Sequence, residues 1–411
     1  MAKVYTAVQG DTFESVARKV YGTDQGTQLI RQANPGIIEP FAAGLEVRVP
    51  DQAGTPKDRP QSAPTDNVDE IAVVIEAERF RFWQTVDIIR TLDSVTTVEF
   101  IAPFEPDQSQ FRETFKPFSY KDVSVLADGE QLFAGTMVAV RPQVRESERT
   151  VAVSCYSRAG VLMDCTPPAS QFPLEYNDLT LREIALNLLG PFGLPLQFDA
   201  EPGARFERVS ISAGRRVWGF LSDLVGQRKA VMSSTPDGGV LIDTPSTGGQ
   251  PVGVFTQGDP GPITSVQPFF SEQEYFSDIT GLEPVIIGAA GSAHTVKNPR
   301  LKGVTRPFTF TAQDTEAGNL PEAVETKAAR MFGNMVSYKI QVGTWRDPNG
   351  NLWEPNTTLK LEWPDAMIYN QTEFLIRDVV LSATDNRRSA TLTIVLIGSF
   401  SGQIPEALPW Q

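Results

Sequence analysis

His294 is the single histidine of this 411-residue chain, and it closes a glycine-rich run, Gly288-Ala-Ala-Gly-Ser-Ala-His294. A run of this kind could wrap a phosphate, but the Gly-Lys-Ser/Thr that completes a phosphate loop is missing. One histidine without a cysteine or carboxylate cluster excludes the usual zinc sets. It also argues against a Ser-His-Asp arrangement, whose base would have to come from a loop. Cys165 stands beside Asp164 and could be a nucleophile, yet neither has a histidine near it in sequence to activate it. Carboxylates are abundant, so counts alone leave a carboxylate-pair hydrolase open. These residues predict no catalytic set, no metal site and no cofactor.

The composition limits the remaining choices. The length implies several domains, because single cores seldom grow beyond about 250–300 residues. The formal charge is −14, from 36 basic and 50 acidic residues. That balance argues against holding nucleic acid by phosphate neutralisation, while a wall past which DNA slides stays compatible. No stretch approaches the roughly 20 apolar residues of a spanning helix, so no membrane contact is expected. The start, Met-Ala-Lys-Val-Tyr, has no apolar signal core. Cys155 and Cys165 are the only cysteines, as suits folding in a reducing cytoplasm.

Residues 1–50 read as a small module of strand, helix, helix and strand. Val4 to Val8 is a strand, and Gly10-Asp11 is a turn whose Asp can cap a helix from Thr12 to Val20, with Glu14 at the capping-box offset. Phe13, Val16, Ala17 and Val20 give that helix one apolar face. A second helix, Gln25 to Ala33, ends at Asn34-Pro35-Gly36, and Leu45 to Val49 closes the module. The order, with Tyr5-Thr6, Gly10-Asp11-Thr12, the Asn34-Pro35 turn and Gly44-Leu45-Glu-Val-Arg-Val49-Pro50, resembles a LysM domain. LysM domains bind N-acetylglucosamine-containing glycans in a groove between the two strand–helix and helix–strand turns. The resemblance therefore implies Gly10, Asp11, Thr12, Asn34, Pro35 and Ile37 as groove residues, for glycan or for a protein partner. Read as structure alone, Asp11 is a cap, Asn34-Pro35 a helix stop and Ile37 a core residue. Residues 51–68, rich in Pro, Gln, Ser, Thr and Asp, are a linker.

Beyond the linker the period is that of strands. Ile71 to Ile75, Phe80 to Trp83, Val86 to Leu92, Val98 to Ile101, Val123 to Leu126, Leu132 to Val138 and Thr150 to Ser154 alternate, with Asp128-Gly129 as a hairpin turn. The middle is helical: Thr180 and Glu183 form a capping box for the stripe Leu181, Ile184, Ala185, Leu188 and Leu189. Val217, Phe220, Leu221, Leu224 and Val225 repeat the spacing, and a hairpin of Ala230 to Ser233 and Val240 to Asp243 follows. Thr244 to Gly261 reads as a loop and domain boundary. Strands return at Ile263 to Val266 and Tyr275 to Gly281, then a helix from Pro321 to Asn334 expected to pack on a barrel. The last strands are Ser337 to Val342, Thr358 to Trp363, Thr372 to Ala383 and Ser389 to Ile397. Asp347-Pro-Asn-Gly350 is a turn, with Trp345 and Trp353 expected in the core.

The pattern Gly343-x-Trp345, Gly350-x-Leu-Trp353-x-Pro355-Asn356, then Phe374-Leu-Ile and Val379-x-Leu-Ser382, resembles the C-terminal tube-like domain of baseplate hubs from contractile phage tails (the phage Mu hub, or late control D, family). Trp345, Gly350, Trp353, Pro355 and Asn356 carry that fold signature. Ile88 to Ser94, Lys116-Pro-Phe118, Val123 to Gly135 and Ser157 to Cys165 resemble the first tube-like domain of the same family. The fold class expected is α+β and β-rich: a LysM module (βααβ, 1–50), two tube-like antiparallel β-barrel domains (69–167 and 261–400) with an α+β insert (168–260), and a tail (401–411) draped on a neighbour. The resemblance implies a homotrimeric symmetry adaptor in a virion baseplate, assembled in the host cytoplasm. Its partners would be the hexameric tail tube protein, the trimeric spike protein, baseplate wedge proteins and the tape measure protein. DNA would pass through the channel without specific binding. Ile71 to Asp164 and Ile263 to Phe400 would be two copies of one fold. The competing reading is a tail protein that binds or degrades peptidoglycan, for which the β-rich remainder offers no lysozyme-like helix leading a Glu into a hairpin.

Overall fold

The structure is a computed structural model and describes residues 3–21, 27–49, 70–145, 149–283, 291–298, 300–301, 303–312, 320–384, 386–402 and 408–411. The linker 51–68 and residues 288–290 of the glycine-rich run lie outside the described residues. The chain divides into two units, residues 1–68 and 69–411, each with its own core.

The small unit has the expected βααβ order: β1 (Lys3–Thr6), α1 (Phe13–Tyr21), α2 (Thr27–Ala33) and β2 (Glu46–Val49). β1 and β2 pair antiparallel, Lys3 opposite Val49. Phe13, Val16, Ala17, Ile30, Phe41 and Val47 make its core, so the apolar stripe read from α1 is the buried one. The cap differs from expectation. Thr12, not Asp11, caps α1, in a reciprocal pair with Ser15: Ser15 N–H donates to Thr12 Oγ1 (3.2 Å) and Thr12 N–H to Ser15 Oγ (3.0 Å). A hydroxyl one residue later in the chain sits closer to the free N–H groups of the first turn, which leaves Asp11 for other contacts.

The large unit opens with β3 (Ile71–Ile75), β4 (Glu78–Phe80), β5 (Thr85–Thr91), β6 (Thr97–Pro103), a short helix α3 (Ser109–Thr114), β7 (Asp122–Ala127), β8 (Glu130–Val144) and β9 (Arg149–Ser157). The middle region follows, with α4 (Val161–Asp164), β10 (Glu175–Leu179), α5 (Leu181–Leu189), β11 (Leu196–Phe198), β12 (Phe206–Ser210), α6 (Val217–Gln227), β13 (Val231–Ser234) and β14 (Val240–Asp243). The remainder is β15 (Val254–Thr256), β16 (Ile263–Phe270), β17 (Asp278–Leu282), β18 (Ala293–Lys297), β19 (Pro307–Thr311), α7 (Leu320–Met335), β20 (Val336–Val342), β21 (Thr358–Trp363), β22 (Ile368–Thr384) and β23 (Arg388–Leu396).

Two separate barrels were expected, and the described residues contain no closed barrel. Thirteen strands form one continuous sheet with the path β16-β20-β23-β22-β5-β6-β9-β8-β7-β3-β4. The reason lies in β22: its far half, Asp378 to Thr384, pairs with β5 of the first strand set instead of closing on its own. β15, in a stretch read as loop, adds to this sheet alongside β21.

The middle region has its own core of Leu181, Ile184, Leu188, Phe220, Leu221 and Leu224 under two small sheets. Thr180 caps α5 and Glu183 completes the capping box, as the sequence predicts. α7 packs its Val324, Ala328 and Met331 on the three-stranded sheet β18-β17-β19, and its Phe332 and Met335 join the main core. His294 stands on β18 opposite Gly281, in a ladder and not in a loop. No helix of the described residues is long and apolar enough to cross a membrane.

Candidate assembly surface

The two strand sets repeat one topology. β5-β6-β9-β8-β7 and β16-β20-β23-β22-β21 are antiparallel throughout and follow the same chain order. Each has one long strand, β8 or β22, carrying a bulge next to Met137 or Ile376, where its partner changes. The registers correspond residue by residue. Val140 faces Val153 where Val379 faces Leu392, and Val98 faces Cys155 where Tyr338 faces Ile394. Met137 N–H donates to the Lys121 carbonyl (2.9 Å), and its counterpart Ile376 donates to Thr357 (2.8 Å).

The seam between the sets is the β22–β5 ladder, from Asp378 opposite Thr91 to Thr384 opposite Thr85. Val86 and Ile88 on one side and Val379, Leu381 and Ala383 on the other are buried, at most 2% exposed. Arg90 reaches across to Glu354 at 3.1 Å.

Among the described residues β4 and β15 end the sheet beside β3 and β21, and each strand set leaves one further edge uncovered. β16 pairs only with β20, and the far half of β8, from Ala139 to Val144, pairs only with β9. Side chains that continue the core face are exposed there: Val144 at 71% and Phe270 at 40%. Such edges are templates for another strand.

Strand alternation turns the other side chains to the opposite face, which is covered where Leu375 and Val395 pack with Leu92, Val231 and Phe400 and open elsewhere. It carries short polar side chains such as Ser154, Ser382 and Thr391, and charges of both signs: Asp87, Glu99, Arg141 and Lys339. Arg141 donates to Ser154 Oγ (2.7 Å), which donates to Glu99 (3.1 Å). A face with its charges interleaved and partly tied to one another has little to offer a phosphate backbone.

The signature residues lie where the second set turns. Trp345 and Trp353 are each 1% exposed. Trp345 Nε1 donates to the carbonyls of Ser382 (2.9 Å) and Ser389 (3.0 Å), clamping the ends of β22 and β23. Trp353 Nε1 donates to the Thr344 carbonyl (3.2 Å). Asp347 Oδ1 accepts from the Asn349 and Asn351 amides, and Gly350 takes φ 88°, which completes the predicted turn. Pro355 is half-buried beside Asn356. Asn356, at φ 67°, donates to Asp243 (2.7 Å) and to the Thr244 carbonyl (3.0 Å), and so fastens the end of the middle region. These residues build the fold.

In the small unit the two expected groove loops meet: Gly10 N–H donates to the Phe41 carbonyl (3.0 Å) and Phe41 N–H to the Asp11 carbonyl (2.6 Å). Asp11 is buried and accepts from Lys19 (2.6 Å), the Val8 amide, Tyr5 and Ser15. The Lys19 contact, followed by the Val8 amide, holds its carboxyl well below the usual carboxylate range. Asn34 donates to the Ile30 and Arg48 carbonyls and accepts from the Arg48 amide, tying α2 to β2. Gly10 and Pro35 are exposed, while Thr12 and Ile37 are half-buried.

No group of three or more His, Cys, Asp or Glu suited to a metal occurs among the described residues. Cys155 is buried and its thiol is pushed up by that burial, which suppresses the reactive thiolate. The described end of the tail, residues 408–411, meets its own chain. Trp410 stacks edge-on against Phe270 (4.8 Å), and Tyr369 N–H donates to the Pro409 carbonyl (3.1 Å). An indole facing a half-covered Phe finds its cheapest burial on its own chain. Sequence periodicity missed the free edges. Their signal was the proline in each, Pro142 and Pro268, which suits an edge strand.

Two segments match known families. Residues 159–244 match the model described as baseplate hub protein gp44-like, second domain. Residues 2–57 match the model Phage Tail Protein X. No curated protein matches the chain. Among solved structures, the 43 kDa tail protein of prophage MuSo2 from Shewanella oneidensis is similar over 81% of this chain and 99% of its own, at 22% identity and TM-score 0.68. A tail protein from Neisseria meningitidis MC58 covers the same shares at 18% identity and TM-score 0.68. Prophage tail protein gp18 from Listeria monocytogenes EGD-e shares 10% identity over 79% of this chain and 94% of its own, at TM-score 0.52. The fold is that of phage tail proteins. With the two family matches it makes this chain a structural tail or baseplate protein, not an enzyme.

Proposed function

We propose that the chain is the hub of a baseplate, a homotrimer whose six strand sets form one ring. The observation that carries this reading is the in-chain seam: two equivalent strand sets joined edge to edge, with β16 of one set and the far half of β8 of the other lacking the partner that their counterparts β5 and β22 find in each other. An interface that is head-to-tail, not self-complementary, generates a closed ring when its rotation closes. Three chains would present six similar faces to a hexameric tail tube protein and a three-fold face to a trimeric spike protein, with baseplate wedge proteins around the outside. The open face of the sheet would line the channel for the tape measure protein and DNA, and its small, charge-interleaved side chains suit passage without binding. The virion tail is the corresponding location.

The small unit is proposed as a LysM-like module that docks on baseplate protein. Asp11 and Asn34 spend their polar atoms on the module's own fold, whereas Val8 and Ile38 are 60% and 84% exposed, which suits an apolar protein contact. Sacculus pull-down separates this from the peptidoglycan reading: docking predicts no enrichment of the chain on sacculi. Native mass spectrometry at tens of micromolar tests the ring, with a three-chain species expected. Monomer alone, even with the spike protein present, would refute it.

A further inference from the structure

We infer that the free half of β8 pairs with β16 of a second copy of this chain, in the register that β22 and β5 use inside one chain. The inference rests on the ring reading and adds to it the residues and their alignment. β8 corresponds to β22 and β16 to β5, so the β22–β5 ladder fixes which residues must face. Val379 faces Arg90 within the chain, so Val140 faces Phe270 of the next copy. Ala383 faces Val86, so Val144 faces Val266 of the next copy. Val140, Val144 and Val266, none of them buried in the single chain, are therefore the counterparts of the buried Val379, Ala383 and Val86.

A second observation points to the same joint. Counting back from β7 and β21, Phe118 takes the place of Glu354, and Tyr120 that of Asn356; both Tyr120 (φ 49°) and Asn356 (φ 67°) have left-handed backbone. Glu354 meets Arg90 across the in-chain seam. The same geometry between chains brings Phe118 to Phe270 of the next copy. Phe118 is 94% exposed and Phe270 40% exposed in the single chain. An ion pair inside the chain is thus matched between chains by two aromatic rings, Phe118 bare and Phe270 covered on one side by Trp410 and Tyr338.

The joint also differs from its template. Pro142 falls opposite Pro268 of the next copy, where the in-chain seam has Leu381 opposite Ile88. That rung has no N–H on either side, so side chains carry more of the contact. The same prolines keep each edge from accepting an arbitrary strand.

Cysteine pairing tests the register. Gln143 and Gln267 are exposed and fall directly opposite, as Ser382 and Asp87 do within the chain. In the full chain with Cys165→Ser, Gln143→Cys plus Gln267→Cys should give, on oxidation, covalent species of up to three chains and none larger. Mixing the two single variants should stop at two chains. Gln143→Cys with Ser265→Cys, one rung pair out of register, should link at least tenfold less. Phe118→Ala should leave single-chain melting unchanged and raise the concentration needed for the three-chain species about tenfold or more. A three-chain species that does not cross-link through Gln143 and Gln267, or links equally through Ser265, overturns the register and leaves the ring reading standing. A chain that stays monomeric at every concentration overturns both.

Discussion

Val140 and Val379 are the same residue at equivalent positions, one on a free edge and one in the in-chain seam, so a single substitution measures what the seam contributes. Val379 is fully buried, and Val→Ala there removes two methyl groups worth about 1.6 kcal/mol at roughly 0.8 kcal/mol per buried carbon. The cavity left in the buried seam raises the loss to about 2–3 kcal/mol. Val140 is only half-covered in the single chain, so the same change should cost about 1 kcal/mol or less. At low concentration, scanning calorimetry should show a drop in Tm of roughly 4–8 °C for Val379→Ala and about 2 °C for Val140→Ala. Raising the concentration until three chains associate should bring the cost of Val140→Ala up toward that of Val379→Ala. Equal losses in the dilute single chain would show that the end of β8 is already covered. No loss at Val379 would show that the β22–β5 ladder is not a packed joint. Either result refutes the seam argument.

Three further outcomes follow from the geometry. Trp345→Ala should cost about 3–5 kcal/mol, and Trp345→Phe about 1–3 kcal/mol by orphaning the carbonyls of Ser382 and Ser389; denaturant melts read both, and a Trp345→Phe chain as stable as the parent would deny the indole N–H a role. Gly135→Ala should abolish soluble expression or melt far below the parent, because a Cβ there would fall on the Tyr156 carbonyl, which is backbone and cannot yield. In the small unit, Asp11 is held below the usual carboxylate range chiefly by Lys19, so its contribution is present above the unfolded value of about 3.9 and fades as pH falls through the lower folded value. Circular dichroism of the small unit between pH 5 and pH 2 should show that loss in the parent and a flatter profile in Asp11→Asn; identical profiles would count against it.

Much of the fold was legible because local signals and tertiary structure agree. The capping box at Thr180 and Glu183, the Asp128-Gly129 hairpin and the Asp347 to Gly350 turn are short-range chemistry, and all three form as read. The tryptophans were expected in the core and are there. What escaped was long-range pairing. Alternation shows that Val379 and Leu381 belong to a strand buried on one face, but it is silent on whether the next strand is β20 or β5, some 300 residues away in the chain. Hence two barrels were expected where one sheet runs through both sets. The Asp11 cap failed for a smaller reason: Asp and Thr are both good caps, and one residue of backbone geometry chose between them. α3 was missed because six residues with a single buried side chain, Phe111, carry no readable period.

Three chains that close into a ring by repeating the in-chain joint would leave a distinct layout in the assembled particle. Electron cryomicroscopy of the assembled tail tip tests it most directly. The expected map has three copies around one axis, a wall of six similar strand sets, β8 beside β16 at each chain boundary, and the face bearing Glu99, Arg141 and Lys339 turned to the channel. A single copy on the outside of the tube, or a ring with that face turned outward, would contradict it.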